Sequence, residues 1–179
     1  MHEKNCMRHL RALIAVVEEG SIAQAADRLL RTPAAVGNAI LLLERRFRAP
    51  LFERQATGMA PTHFGQTAYK RARRVAAELD FARVELAPYA VSTNAPIFSM
   101  VVGERQLHAL VKLREMKHMP SVAAVVGLTQ PAVSALLRDA ENTLRLSLFR
   151  RTAKGMIVTE AGELLIFRLR RVLAELRHL

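Results

Sequence analysis

Residues Thr129–Gly162 read TQPAVSALLRDAENTLRLSLFRRTAKGMIVTEAG, and residues Thr32–Gly65 read TPAAVGNAILLLERRFRAPLFERQATGMAPTHFG. The two stretches align without a gap at a constant offset of 97 residues. Leu51, Phe52, Arg54, Ala56, Gly58 and Met59 fall on Leu148, Phe149, Arg151, Ala153, Gly155 and Met156, and Thr62 falls on Thr159. Extended outward, the same register joins Leu10 to Leu107 and Leu79 to Leu176, with roughly a third of the positions identical. A cluster of matches at one offset points to duplication, and a period this long means two domains rather than a solenoid.

Each copy predicts the same order of elements. An apolar stripe (Leu10, Leu13, Ile14, Val17; then Leu107, Leu110, Val111, with Arg114 completing the spacing) marks an opening helix. Gly20-Ser21 ends it, and Ser21 is a suitable N-cap for a second helix over 22–30. Thr32 caps a third helix with Pro33 at its first position, where no amide partner is needed; Thr129 with Gln130-Pro131 repeats this. LFER and LFRR then read as short strands, with Gly58 and Gly155 at the turns of two-stranded hairpins. Thr62 and Thr159 can cap long final helices, from about Gly65 to Ala87 and from about Gly162 to the end. Between the copies, PYAVSTNAP reads as a linker. The IFSMVV that follows is either a short strand or a segment packed on a neighbour, with a transiently ordered linker as the alternative. The expected domains are 1–87, a linker 88–103, and 104–179.

The charge balance narrows the function. With 27 Lys and Arg against 16 acids, the 179-residue chain carries a formal net charge of +11, which suits a polyanionic partner, nucleic acid foremost. Apolar residues recur every three or four positions and are interrupted by Arg and Glu, so no run approaches the roughly 20 residues of a bilayer span. The opening MHEKNCMRHL lacks the apolar core of a secretory signal, and a cytoplasmic location is expected. Catalysis has no visible machinery. The six histidines show no HxH, HxxxH or HExxH spacing, Cys6 is the single cysteine, and neither a phosphate loop nor a nucleophile elbow is present. No enzyme activity, cofactor or metal is expected.

Residues Ser21–Gly65, and again His118–Gly162, resemble the DNA-binding domain of LysR-type transcriptional regulators. The second copy carries TQPAVS at Thr129–Ser134, then Glu141, Leu148-Phe149, Arg151, Gly155 and Thr159 to Gly162. The first carries Ala25-Ala26, Leu29, Thr32, Ala35-Val36, Ile40, Leu43-Glu44, Leu51-Phe52, Arg54, Gly58 and Thr62 to Gly65. The resemblance implies a mainly α fold with short β wings: two tandem winged helix-turn-helix domains, each followed by a long linker-type helix. In such regulators that helix leads into an effector-sensing domain. Here the sequence ends on it at Leu179, so an effector-binding domain is expected to be absent.

The same resemblance assigns roles. In a helix-turn-helix the second helix enters the major groove, and its first residues reach base edges. In the second copy these are Thr129, Gln130, Pro131 and Ser134, with Arg138 one turn on. Gln pairs with adenine, Ser donates or accepts, and Pro can touch a thymine methyl. In the first copy the corresponding residues are Thr32, Pro33, Ala34 and Gly37, with Asn38 the one evident base reader, and Leu41 and Leu42 replace Arg138 and Asp139. Two readings of that copy stand open: contact with DNA mainly through phosphates, or conversion to an interaction module. Phosphate contacts are expected from Arg31, Arg54, Arg150, Arg151 and Lys154. Arg71, Arg73, Arg74 and their repeats Arg168, Arg170, Arg171 are expected to face solvent or to pair with Glu78 and Glu175.

The leading function is therefore sequence-specific binding of double-stranded DNA in transcriptional regulation. The alternative is a protein-interaction module that pairs with related regulators through the long helices. Those helices are expected to pair within one chain as a pseudo-dimer, burying Ala72, Val75, Ala76, Leu79 and Val84 against Leu165, Leu169, Val172, Leu173 and Leu176, or else between two chains as a homodimer.

Overall fold

The computed structural model describes residues 6–55, 58–153 and 155–179. The elements run α1 (Cys6–Glu19), α2 (Ile22–Arg28), α3 (Pro33–Phe47), β1 (Phe52–Gln55), β2 (Gly58–Pro61) and α4 (His63–Glu85). A 3-10 turn at Ala87–Tyr89 precedes α5 (Glu104–Met116), α6 (Met119–Val126), α7 (Gln130–Leu144), β3 (Phe149–Thr152), β4 (Gly155–Val158) and α8 (Glu160–Arg177). By compactness the chain divides into Met1–Val75 with Glu175–Leu179, and Ala76–Ala174.

In the first unit, α1 to α3 close around Leu10, Leu13, Ala25, Ala26, Val36 and Leu43, all fully buried. The alanine pair lets α2 approach its neighbours closely, because no side chain beyond Cβ intervenes. Ser21 accepts from the Ala23 amide at 3.2 Å as N-cap of α2. That helix ends at Arg28 rather than at Leu30, since Leu30 itself turns left-handed (φ 52°) and is 94% exposed. β1 pairs antiparallel with β2, Phe52 opposite Pro61 and Gln55 opposite Gly58. The hairpin is tied to the end of α1 by the Met59 amide donating to the Gly20 carbonyl at 3.0 Å.

The second unit repeats the plan around Leu107, Leu110, Val122, Val133 and Leu144. β3 pairs with β4 in the same register, Phe149 opposite Val158, and the Met156 amide donates to the Lys117 carbonyl at 2.9 Å. Residues 97–102 form turns and no strand, with Ile97, Met100 and Val102 buried, and upstream the Ser92 amide donates to the Leu144 carbonyl at 2.9 Å. The packed alternative for this segment is the one the fold adopts.

Both final helices start on the same device. Thr62 Oγ1 accepts from the Gly65 amide at 2.9 Å and donates to the Pro50 carbonyl at 2.8 Å; Thr159 does so with Gly162 at 3.0 Å and Ser147 at 2.8 Å. The helix start then lies so close to the preceding strand that a Cβ on Gly65 would stand 1.9 Å from the Leu51 carbonyl oxygen, and one on Gly162 2.3 Å from that of Leu148.

Within the second unit, α8 runs antiparallel to the last turns of α4. Arg168 pairs with Glu78 at 3.0 Å and, in a closer contact, with Glu85, while Arg171 pairs with Glu78 at 2.6 Å. The Glu85 carboxyl titrates below the usual carboxylate range because Arg168 hydrogen-bonds its charged form, which outweighs burial. Within the first unit Arg71 reaches Glu175 at 3.0 Å and Arg74 reaches it at 3.7 Å, while Arg73 and Tyr69 converge on Glu18. Ala72, Val75, Leu79, Leu165, Leu169, Val172, Leu173 and Leu176 are buried as the spacing predicts. Ala76 is only half-buried, and Val84 is not buried: it is 64% exposed, and Ala82 and Leu86 are the buried residues of that turn.

Candidate nucleic-acid interface

The outward face of α7 is set by its cap and its core side. Thr129 Oγ1 accepts from the Ala132 amide at 3.3 Å, which fixes the first turn. Val133, Leu137, Ala140 and Leu144 face inward at helical spacing. The opposite face then presents Gln130, Pro131 and Arg138, all exposed, with Ser134 half-buried between them. Arg138 donates to Ser134 Oγ at 3.0 Å, so these two side chains form one polar unit. From α5, buried Gln106 donates to the Leu136 carbonyl at 3.1 Å and to Asp139 at 3.2 Å, which holds the middle of the helix in place.

α3 is built the same way with different surface chemistry. Thr32 Oγ1 accepts from the Ala35 amide at 3.2 Å, and Val36, Ala39, Ile40 and Leu43 face the core. Outward stand Pro33, Ala34, Asn38, Leu41 and Leu42, with Gly37 half-buried. Arg31 is exposed immediately before the cap. The positive field here is felt by His9, whose imidazole titrates below its usual value through burial first, then through Arg8, Arg31 and Arg46.

The hairpins place Arg54 and Arg151 at corresponding positions, opposite Met59 and Met156, and both are exposed. Strand alternation puts each on the same side of its hairpin as the preceding Phe52 or Phe149. Arg150, also exposed, points to the other side, so Arg150 and Arg151 do not form one patch. Lys154 lies outside the described residues. Among the described residues no cluster of three His, Cys, Asp or Glu could hold a metal ion, and no single helix is long and apolar enough to cross a membrane.

Two glutamates that the sequence reading left without a role connect these parts. Glu44 Oε1 accepts from the Leu51 amide at 2.8 Å, and Glu141 Oε1 from the Leu148 amide at 2.8 Å and the Phe149 amide at 3.1 Å. Each carboxylate ties the end of an outward-facing helix to the start of its hairpin. The signal was present as an identity at the offset of 97 residues.

A capped helix-turn-helix, a two-stranded wing hydrogen-bonded back to the opening helix, and a long helix started on the threonine device define a winged helix-turn-helix protein, here in two copies. Residues 7–66 and 104–163 each match the family described as bacterial regulatory helix-turn-helix protein, lysR family. These stretches make up more than half of the chain, which belongs to that family.

Among its relatives is the HTH-type transcriptional regulator GalR of Pseudomonas putida, 42% identical over 171 residues, which is 96% of this chain and 42% of the relative. That alignment spans both copies. The HTH-type transcriptional regulator MetR of Haemophilus influenzae is 39% identical over 83 residues, 44% of this chain and 27% of the relative. The chain spans less than half the length of these relatives. Similar solved structures include a complex of the BenM DNA-binding domain with catB site 1 DNA (31% identity, TM-score 0.45, 47% of this chain and 94% of that one). A CbnR DNA-binding domain complex with DNA is also similar (31% identity, TM-score 0.37, 47% and 87%).

Proposed function

We propose that this chain is a sequence-specific double-stranded-DNA-binding transcriptional regulator acting in the cytoplasm, with α3 and α7 in the major groove and the wings on the phosphate backbone. The observation that carries this reading is the outward face of α7: Gln130, Ser134 and Arg138 exposed or half-exposed along the first half of a capped helix, in a chain of net charge +11. Gln130 can pair bidentately with adenine and Arg138 with guanine. Arg31, Arg54, Arg150, Arg151 and Lys154 supply affinity without sequence preference.

The long helices serve as a pairing element inside one polypeptide. The offset of 97 residues turns Arg71–Glu175 into Arg168–Glu78, and Arg74–Glu175 into Arg171–Glu78. Reciprocal pairs of this kind are what an isologous contact between two like halves produces, and they support an intrachain pseudo-dimer over a homodimer. Binding to random duplex DNA across a salt series tests the DNA reading: affinity falling steeply with salt supports it, and weak, salt-independent binding refutes it in favour of an interaction module.

A further inference from the structure

The outward faces of α3 and α7 differ in chemistry although the two helices are set in place by the same devices. The positions that cap the helices and tie them to the wings recur unchanged at the offset of 97 residues: the Thr32 and Thr129 caps, Glu44 and Glu141, Leu51-Phe52 and Leu148-Phe149, Arg54 and Arg151, Thr62 and Thr159. The outward positions do not. Pro33, Ala34, Gly37 and Leu41 stand where the second copy has Gln130, Pro131, Ser134 and Arg138.

Leu41 is 51% exposed, and the core side of α3 is complete without it. Nothing lies within 4 Å of where a Cβ on Gly37 would stand, so packing does not demand glycine there. Nor is the surface apolar throughout. Arg45 continues the stripe of Ala34, Asn38 and Leu41 by one helical turn, and Arg31 and Arg48 flank it, all exposed. Apolar centres of protein interfaces are depleted in charge. A short, largely apolar strip with exposed arginines at both ends instead fits a major groove whose floor carries thymine methyls and whose walls carry phosphates.

We propose that the two recognition helices read unlike half-sites, so that one chain selects an asymmetric operator. α7 reads hydrogen-bonding base edges through Gln130, Ser134 and Arg138. α3 reads thymine methyl groups through Pro33, Ala34 and Leu41, with Asn38 its hydrogen-bonding reader. Identical modules related by a two-fold axis read a palindrome; modules with different outer faces do not. The proposal rests on the DNA-binding reading above.

The test begins by selecting preferred sites from a random duplex pool with the whole chain. Two different half-sites are expected, one of them thymine-rich. Replacing those thymines by uracil removes only methyl groups and is expected to weaken binding by about 3- to 5-fold per contacted base. The same change in the other half-site should have a smaller effect. The variant carrying Pro33→Gln, Ala34→Pro, Gly37→Ser and Leu41→Arg should select two copies of the α7 half-site, with its fold checked by circular dichroism. The uracil measurement alters only the DNA and decides the matter even if that variant does not fold. A palindrome selected by the unmodified chain overturns the proposal. So does a single defined half-site with no uracil effect, which would leave the α3 face to a protein partner. Absence of duplex binding at any salt overturns the DNA-binding reading itself, and this proposal with it.

Discussion

Gly162→Ala is expected to destabilise the second unit severely, although alanine is the better helix former. The new methyl would stand 2.3 Å from the Leu148 carbonyl oxygen and 2.7 Å from Val158 Cγ2. The carbonyl cannot retreat freely, because it accepts from the Thr159 amide at 2.9 Å and from Thr159 Oγ1 at 3.2 Å. Relieving the overlap means moving the start of α8 off the strand. Overpacking costs about 1–3 kcal/mol, and one lost hydrogen bond adds about 1 kcal/mol. A total of about 2–4 kcal/mol lowers the unfolding midpoint of a unit of about 100 residues by roughly 10–20 °C. Gly37→Ala is the internal control. It also replaces a helical glycine, but in open space, and should raise stability by about 0.5–1 kcal/mol. Thermal unfolding followed by circular dichroism reads both. A Gly162→Ala midpoint at or above that of the unmodified chain would refute the reasoning, as would a Gly37→Ala loss of similar size.

Gln130→Ala should cost about 1–3 kcal/mol on the preferred duplex and relax selection at one base pair, whereas Pro33→Ala should change the selection profile less; the reverse order in a site-selection experiment would contradict the assignment of α7. Arg54→Ala and Arg151→Ala should each weaken binding to all duplexes alike and reduce the salt slope by about one unit; a silent arginine means that its wing is not on the backbone. The His9 imidazole, held low by burial and by Arg8, Arg31 and Arg46, should titrate higher once a phosphate neutralises Arg31, and an unchanged NMR titration with saturating duplex would place the first copy off the DNA. Because the folded-state value of Glu85 is depressed, its contribution to stability is complete above the ordinary carboxylate range and is lost as pH falls through the depressed value; Glu85→Gln should flatten the acid limb of a stability-versus-pH curve and leave neutral DNA binding unchanged.

The parts of the fold written in local signals were legible. Thr32, Thr129, Ser21, Thr62 and Thr159 announce helix starts by a side-chain oxygen two or three residues before an amide that needs an acceptor. The glycines of the hairpins and the internal repeat fixed the rest of the order. What escaped depends on tertiary context. Leu30 matches Gly127 at the offset of 97 residues and adopts the same left-handed turn (φ 52° and 66°), but a leucine carries no local signal for ending a helix. Val84 satisfies the apolar spacing and still faces outward, because helical spacing is equally served by Ala82 and Leu86. The buried turn at residues 97–102 was open between strand and packed segment because a short apolar run has no period of its own. In the candidate interface the residue types were readable, while the Arg138–Ser134 bond, the opposed directions of Arg150 and Arg151, and the helix-to-wing ties of Glu44 and Glu141 required coordinates.

The central claim, that this chain is a DNA reader whose specificity lies mainly in α7, is tested most directly by equilibrium binding of the whole chain to its selected duplex and to a scrambled one across a salt series. The account predicts a steep fall of affinity with salt on both duplexes, and a preference for the selected site that drops by about 1–3 kcal/mol in Gln130→Ala. Binding that ignores salt, or a site preference that Gln130→Ala leaves intact, would contradict it.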